Sequence, residues 1–287
     1  MDLLAQVLVN GVLLGGLYAV MALGLALVWG VLNIVNLAHG AFIMVGGYVS
    51  WHLYTYLRID PFAGLPITAA AMYALGYATQ RGVLNLIVRA PMFNTLLVTF
   101  GLEVLLTYLA QLAFSADFRA INPAYAGTHW QWGPVVLPVV WMAAFGMAVG
   151  LTVGMWLFLL HTRLGRAIRA TAQNLVASRL YGVEPRHLYA TTFGIGIALA
   201  GAAGGLYATV SQLNPYIGAA LTAKSFAIAI IGGLDNPLGV LVGGLFLGIV
   251  ESLTTLYIGP TYADVASFGI LVLVLVVRPT GLLGKAA

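Results

Sequence analysis

Arg163 to His187 reads RLGRAIRATAQNLVASRLYGVEPRH and is the most polar stretch of an otherwise apolar chain. It carries five arginines and one acid, so its net charge of +4 equals that of the whole 287-residue protein. A basic segment between long apolar runs must lie outside the lipid, and the cytosolic side of a membrane favours Lys and Arg. We therefore expect this loop, at about residues 161–188, to be cytosolic.

The same stretch has a helical pattern. Its apolar residues recur on one face, and Arg166 and Arg169 fall on the opposite face. Gly182, followed shortly by Pro185, has the sequence of a helix terminator. The pattern predicts one short helix that packs lightly on the membrane part and presents arginines to a partner. From charge alone, an ordinary loop that only sets topology is the alternative. The predicted apolar face consists of Leu164, Ile168, Thr171 and Leu175.

The composition is that of an integral membrane protein. Hydrophobic residues make up 61% and charged residues 7%, against about 25% charged residues in soluble domains. The apolar runs predict an all-α polytopic bundle, one domain over residues 1–287, and no barrel strands. Cysteine is absent, which excludes disulfides and Cys-based metal sites, and we expect no metal or nucleic acid. About eight to nine membrane segments are predicted, at about 7–30, 38–57, 65–80, 93–114, 137–160, 189–212, 217–233, 237–257 and 264–278.

Alternation of the segments from the cytosolic loop gives the orientation. The N-terminus is then external and the C-terminus cytosolic, and the outer loop at residues 115–136 forms a cap at the interface. Glycines spaced by four residues predict close helix approach; they are Gly146/Gly150/Gly154, Gly201/Gly205 and Gly239/Gly243. The basic residues placed inside include Arg81, Arg89, Arg278 and Lys285, and the acids placed outside are Asp2, Asp60, Asp117 and Asp264.

Two polar or Gly/Pro-rich interruptions divide the apolar runs. Both contain Asn-x-x-x-Gly-Ala, at residues 36–41 and 214–219, and Gly-Leu-Tyr-Ala precedes each. Such breaks at comparable places in two halves of a chain point to a transport pathway, where protein or water satisfies the unwound backbone. Two ordinary inter-helix turns are the alternative. The candidate pathway residues are Asn36, His39, Gly40, Asn214, Pro215 and Gly218.

Three ionisable residues lie inside the predicted segments, Glu103, Lys224 and Glu251. Residues of this kind are rare in membranes and usually face the interior. Lys224 and Glu251 have similar predicted depths, so we expect them to pair; substrate contact is the alternative. Glu103 has no evident partner and is either a neutral buried acid or a proton site. For His39 we expect a hydrogen bond at the helix start, with pathway lining as the alternative.

ATP binding by the chain itself is not expected. Residues 218–225 resemble a phosphate-binding loop, but Ala223 replaces the second glycine and no strand precedes the match. No nucleophile–base set is evident, so an intramembrane enzyme is the least supported class. A gradient-driven carrier acting alone would need Glu103 or Glu251 to titrate during transport.

Several stretches of the chain resemble sequences of one protein family. They occur in the same order as in that family and extend over nearly the whole chain. They are NGVLLGGLYAVMALGLALVWGVLNIVNLAHGAF, TRLGRAIRATAQNLVASRLYGV, NPYIG, IIGGLDNPLGVLVGG and the terminal RPTGLLG. They closely resemble permease subunits of bacterial branched-chain amino acid ABC transporters of the LivH type. Ala41 departs from the pattern of some relatives, which carry an acid there. The LivH-type family also extends to permeases for urea, amides and other hydrophobic amino acids.

This resemblance implies a multi-pass permease of the bacterial inner membrane that imports hydrophobic amino acids. The implied partners are a second, LivM-like permease, two cytosolic ATPase subunits that bind the ATP, and a periplasmic substrate-binding protein; the chain itself would hold no cofactor. The basic loop resembles the coupling helix that sits in a groove of the ATPase. The matching positions are Gly165, Arg166, Ala167, Asn174, Ala177 and Gly182, with Arg169 on the outer face.

Overall fold

The computed structural model describes residues 2–87, 91–133, 135–180, 182–234, 236–278 and 280–284. Arg89 and Lys285, which entered the orientation argument, lie outside these ranges. The described chain is mostly helical and contains one small β-hairpin. Its helices are α1 (Asp2–Leu32), α2 (His39–Leu57), α3 (Leu65–Thr79), α4 (Asn85–Ile87), α5 (Met92–Phe114), α6 (Val139–His161), α7 (Arg163–Gln173), α8 (Leu175–Leu180), α9 (Pro185–Val210), α10 (Ile217–Gly232), α11 (Pro237–Tyr257) and α12 (Ala263–Val277).

Among the described residues, six helices are long and apolar enough to cross a membrane. They are α1, α5, α6, α9, α11 and α12, the last of which is counted together with the short 3-10 turn before it. Helix α10 is also apolar but has only 16 residues. The fold is therefore that of a helical membrane protein. Each of the nine predicted segments coincides with a helix. The helical chain of the third segment continues beyond α3, because a π-helical turn (Gln80–Leu84) joins α3 to α4 without a break.

The centre of the bundle consists of α1 and α9. The most apolar 18-residue window of α1 is 89% buried and that of α9 is 78% buried, whereas the corresponding values are 17% for α5 and 28% for α6. Glycine makes this packing possible: a Cβ at Gly24 would collide with the carbonyl of Gly196, so the backbones of the two central helices touch. Small residues serve this purpose in membranes, where lipid supplies no hydrophobic drive between helices.

One predicted glycine stripe does not meet another helix. Within the described residues, a Cβ at Gly146, Gly150 or Gly154 would have nothing within 4 Å. The stripe instead forms the floor of an open groove of about 420 Å³ between α6 and α9. The expectation of close packing was wrong for this stripe. It was correct for Gly201, which lies against α2 and α3, and for Gly243, which lies against α10.

The connection between α5 and α6 contains a two-stranded antiparallel sheet that the sequence pattern did not predict. Strand β1 (His129–Trp132) pairs with β2 (Val135–Pro138). An isolated hairpin is marginally stable in water, and here α1 holds it: the Gln6 amide donates to the Val136 carbonyl at 2.9 Å and accepts from the Val136 N–H at 2.7 Å. The hairpin therefore depends on a tertiary contact.

The rest of the outer loop packs as a cap on α2 and α9. Ile121 N–H donates to the carbonyl of Ala208 at 2.9 Å, and the Tyr54 hydroxyl donates to the carbonyl of Asn122 at 2.6 Å. The Tyr125 hydroxyl donates to Asp60 at 2.6 Å. Burial and this hydrogen bond raise the pKa of Tyr125, because both favour the protonated phenol over the phenolate.

Candidate functional site

The first interruption turns the chain back along α1. Residues 33–38 are not helical, and Asn33 has a φ of 52°, in the left-handed region that asparagine tolerates better than most residues. At the start of α2, His39 Nε2 donates to the Met21 carbonyl at 2.8 Å. Met21 lies eleven residues before Leu32, the end of α1, which is about 16 Å along the helix axis. The second helix therefore begins beside the middle of the first.

Two threonines from other helices satisfy the non-helical backbone. Thr99 of α5 donates to the Val35 carbonyl at 2.9 Å and accepts from the Leu37 N–H at 3.3 Å. Thr222 of α10 donates to the Leu37 carbonyl at 3.0 Å and accepts from the Gly40 N–H at 2.8 Å. Unwound backbone within a bundle needs such partners. Neither threonine could be predicted from the sequence, because a hydroxyl in an apolar segment is common.

The two interruptions meet at two glycines. A Cβ at Gly40 would collide with the Gly218 carbonyl, and one at Gly218 would press on Ala41. Of the six predicted pathway residues, His39, Gly40 and Gly218 are thus brought together, with Asn36 just before them in the chain. Asn214 and Pro215 lie apart from this contact, in the loop after α9, where Asn214 accepts from the Tyr216 N–H at 2.9 Å.

His39 makes a different hydrogen bond from the predicted one. It is the first residue of α2, but its side chain bonds across to α1 and does not cap its own helix. Asn36 is completely buried, and neither polar atom of its side chain has a hydrogen-bond partner within the described residues. A buried polar group without a partner costs about 1–3 kcal/mol. The interruption therefore presents an unpaired amide in the interior of the bundle.

The predicted pair between Lys224 and Glu251 is confirmed. Lys224 Nζ lies 2.7 Å from Glu251 Oε1 and 3.2 Å from Asp264 Oδ1. Tyr18 joins them, donating to Glu251 Oε2 at 2.5 Å and accepting from Lys224 at 3.0 Å. Ser267 donates to Glu251 Oε1 at 3.1 Å. Four helices, α1, α10, α11 and α12, are tied together by this charge cluster.

Glu103 is half-buried on α5 and has a neighbour that the sequence pattern did not reveal. Thr107 Oγ1, one turn later, donates to Glu103 Oε1 at 3.4 Å. This is a long hydrogen bond within one helix, and it leaves the carboxylate far less constrained than that of Glu251.

The basic loop forms two helices where one was predicted. The first, α7, ends at Gln173, and Asn174 is extended, with φ of −153° and ψ of 102°. The Asn174 side chain then accepts from the Ala177 N–H at 2.9 Å, which caps the start of α8. Gly182, with a φ of 80°, follows α8 as the predicted terminator.

The arginines of α7 are held differently from the prediction. Arg166 Nη1 donates to the His161 carbonyl at 3.0 Å, and Arg169 Nη2 donates to the Leu160 carbonyl at 3.4 Å. These carbonyls belong to the last turn of α6, where positive charge is favoured. Both side chains remain exposed. They therefore face outward, as predicted, and also stabilise the end of α6.

Other residues of the loop attach it to the membrane part or face away from it. Thr162 caps α7 by accepting from the Gly165 N–H at 2.9 Å. A side chain at Gly165 would collide with the backbone of α6, and Ala167 is half-buried. Val176 and Leu180 of α8 are 69% and 84% exposed. These two exposed apolar side chains are one turn apart on α8.

Comparison with known proteins identifies the family. Residues 7–275 match the family model described as the branched-chain amino acid transport system / permease component. The chain belongs to this family. As a permease component, it is a multi-pass membrane protein whose role is transport and not catalysis. No solved structure matches it significantly.

Named permeases resemble the chain over almost its whole length. The high-affinity branched-chain amino acid transport system permease protein LivH of Escherichia coli K12 is 33% identical, over 98% of this chain and 95% of that protein. BraD of Pseudomonas aeruginosa, which carries the same description, is 32% identical with the same coverage. The permease protein LivM of Escherichia coli K12 is 27% identical over 93% of this chain and 68% of its own length. The chain thus resembles two differently named permeases, LivH over nearly their whole lengths and LivM over a part of its length.

Proposed function

We propose that this chain is a translocation subunit of an ATP-binding-cassette importer for branched-chain amino acids in the bacterial inner membrane. The observation that carries the proposal is the convergence of the two interruptions, where Gly40 of α2 meets Gly218 of α10 and α2 begins beside the middle of α1. Helices that start within a bundle, with polar groups such as the unpaired Asn36 amide nearby, are typical of substrate pathways in transporters.

In this proposal the chain crosses the membrane with eight to nine segments. The N-terminus is external and the C-terminus cytosolic, so that α7 and α8 face the cytosol and the outer cap with its hairpin faces the periplasm. The basic residues of the loop support this orientation. The charge cluster around Lys224 then lies in the outer half, where it joins four helices.

The proposed assembly contains a second permease, two cytosolic ATPase subunits and a periplasmic binding protein. The similarity to both LivH and LivM supports a pair of related permeases, with the pathway at their interface. The weakly buried helices α5, α6 and α12 offer apolar faces that lipid or such a partner would cover. The chain itself binds no cofactor in this scheme, and ATP is hydrolysed on the partner subunits.

Coupling is assigned to α7 and α8. A short helix pair in a groove of the ATPase would transmit nucleotide-driven closure to the bundle, because Gly165 brings α7 directly against the end of α6. The residues available to contact the ATPase differ from those expected from the sequence. Arg166 and Arg169 already bind carbonyls of α6, whereas the exposed apolar pair on α8 has no such tie.

A gradient-driven carrier is less well supported by the geometry. Such a carrier needs an acid that titrates during transport, and Glu251 is fixed by Lys224, Tyr18 and Ser267. Glu103 is the remaining candidate, because Thr107 alone contacts its carboxylate among the hydrogen bonds of the described residues.

Uptake of labelled leucine into proteoliposomes that hold the full set of subunits tests the proposal. With loaded binding protein outside and ATP inside, we expect uptake that stops when ATP is omitted. Glu103→Gln, which removes the titratable proton and keeps the side-chain shape, should transport at the wild-type rate. Uptake driven by a proton gradient without ATP, and lost in Glu103→Gln, would overturn the importer proposal in favour of a carrier.

A further inference from the structure

The hairpin between α5 and α6 has two chemically different faces. Residues that pair directly across an antiparallel ladder share a face, and the register pairs Trp130 with Leu137 and Trp132 with Val135. One face therefore carries two tryptophans and two aliphatic side chains. The tryptophans are 71% and 83% exposed, so the described chain leaves most of their surface uncovered. The opposite face is more polar at β1 and consists of His129, Gln131, Val136 and Pro138.

The hairpin is attached to two helices that are long and apolar enough to cross a membrane. Its second strand ends at Pro138, and α6 begins at Val139. A strand rises about 3.4 Å per residue, so Val135, where β2 begins, lies at most about 14 Å from the start of α6. Gln6, the fourth residue of the apolar span of α1, binds the backbone of Val136. Both attachments lie within a few residues of the start of a span.

The surroundings of the hairpin are apolar and carry little charge. Leu3, Leu4 and Leu8 of α1 are 64%, 44% and 37% exposed, and they stand before and after Gln6 along the helix. The sequence has no Asp, Glu, Lys or Arg at residues 120–162. Apolar side chains gain free energy when they leave water. The part of α1 that holds the hairpin is therefore still suited to lipid.

A bilayer surface fits the tryptophan face better than a soluble protein does. Tryptophan is enriched at membrane–water interfaces, where its ring meets apolar groups and its N–H meets polar ones. Two aromatic side chains bury at most about 500 Å², which is less than the ~800 Å² that each partner buries in a specific protein interface. The exposed leucines of α1 would extend the patch, but they belong to a membrane span.

We propose that the hairpin is an amphipathic membrane anchor, with Trp130 and Trp132 in the interfacial layer of the bilayer and Gln131 facing water. Because Gln6 ties the hairpin to α1, the anchor fixes the depth at which the central helix begins. This inference goes beyond the proposed import function and does not depend on it, since a gradient-driven carrier with this fold would have the same anchor.

The absence of cysteine permits a direct test by spin labelling. Trp132→Cys and Gln131→Cys are a matched pair, because neighbouring side chains of a strand lie on opposite faces. Each full-length variant is labelled with a nitroxide and placed in vesicles of phosphatidylcholine and phosphatidylglycerol. Electron paramagnetic resonance then measures collisions with oxygen, which concentrates in lipid, and with a water-soluble nickel chelate. The oxygen-to-nickel collision ratio should be several-fold higher at residue 132 than at residue 131.

A third variant keeps the test decisive if loss of Trp132 releases the hairpin from the bilayer. Val135→Cys leaves both tryptophans in place and shares their face. Its label should therefore give the high collision ratio expected for Trp132→Cys, again in contrast to Gln131→Cys.

Two results would contradict the anchor. Collision ratios that are equal at residues 131, 132 and 135 would show that neither face of the hairpin prefers the bilayer. Labels at residues 132 and 135 that favour the nickel chelate until loaded binding protein is added would make this face a docking site for that protein. The measurement involves no transport, so a failure of ATP-driven uptake would refute the proposed function and leave this result unchanged.

Discussion

At the scale of single residues, Gly40 is the point where the two interruptions touch. A Cβ there would collide with the Gly218 carbonyl and lie 2.6 Å from the backbone nitrogen of Thr222, so the backbones of two helices would have to separate. Overpacking of this kind typically costs ~1–3 kcal/mol. We expect Gly40→Ala to lower the thermal stability of the purified transporter and its leucine uptake.

Gly101→Ala is the matched control, because a Cβ on that α5 glycine meets nothing within 4 Å. It should unfold at the wild-type temperature or slightly above it in the same detergent, because alanine favours the helix more than glycine does. Equal melting temperatures for Gly40→Ala and Gly101→Ala would show that the contact between the interruptions is not as tight as described.

Sequence reasoning at this scale succeeded where a residue type is rare and failed where it is common. Charged residues are rare in apolar segments, so the similar predicted depths of Lys224 and Glu251 were enough to predict that they pair. Lys224 Nζ lies 2.7 Å from Glu251 Oε1. Tyr18, Thr99 and Thr222 complete the polar contacts, yet hydroxyl groups occur in most membrane helices. Their role depends on which helices meet, and that information is not local.

At the scale of elements, the basic loop shows how a periodic pattern can continue across a break. Leu175 is in phase with Ile168 and Thr171, so the helical period predicted one helix. The chain is nevertheless extended at Asn174, whose side chain caps α8. Asparagine competes with helix continuation by bonding nearby backbone groups. The hairpin at residues 129–138 was missed for a related reason, since α1 supplies the contact that stabilises it.

The exposed pair on α8 gives the prediction that belongs to this scale. Leu180 is 84% exposed and Val176 is 69% exposed, so neither contributes much to folding of the isolated chain. If α8 is inserted in the ATPase, burial of Leu180 contributes about 1.5–3 kcal/mol to the interface. We expect Leu180→Ser to lower ATP-dependent leucine uptake by about tenfold or more, with normal amounts of protein in the membrane.

Gln173→Ser, at an exposed polar position at the end of α7, is the control and should transport normally. Co-purification of the ATPase subunits gives a second measurement, and it should weaken in Leu180→Ser alone. Unchanged uptake and unchanged co-purification in Leu180→Ser would assign the contact with the ATPase to another surface of the loop.

At the scale of the whole molecule, burial is distributed very unevenly among the helices. The apolar windows of α1 and α9 are 89% and 78% buried, whereas those of α5 and α12 are 17% and 11% buried. The chain therefore has a rigid centre of close glycine contacts and a periphery whose apolar faces need lipid or a second permease.

The orientation of this bundle can be measured directly, because the chain contains no cysteine. Thr128→Cys and Ala172→Cys place single thiols at exposed positions in the outer cap and in α7. With a membrane-impermeant maleimide, we expect Thr128→Cys to be labelled in spheroplasts and Ala172→Cys to be labelled only after the membrane is permeabilised. The excess of arginine in the loop is the physical reason. The reverse pattern would place α7 and α8 outside the cell, where no ATPase could contact them, and would contradict the coupling role together with the orientation.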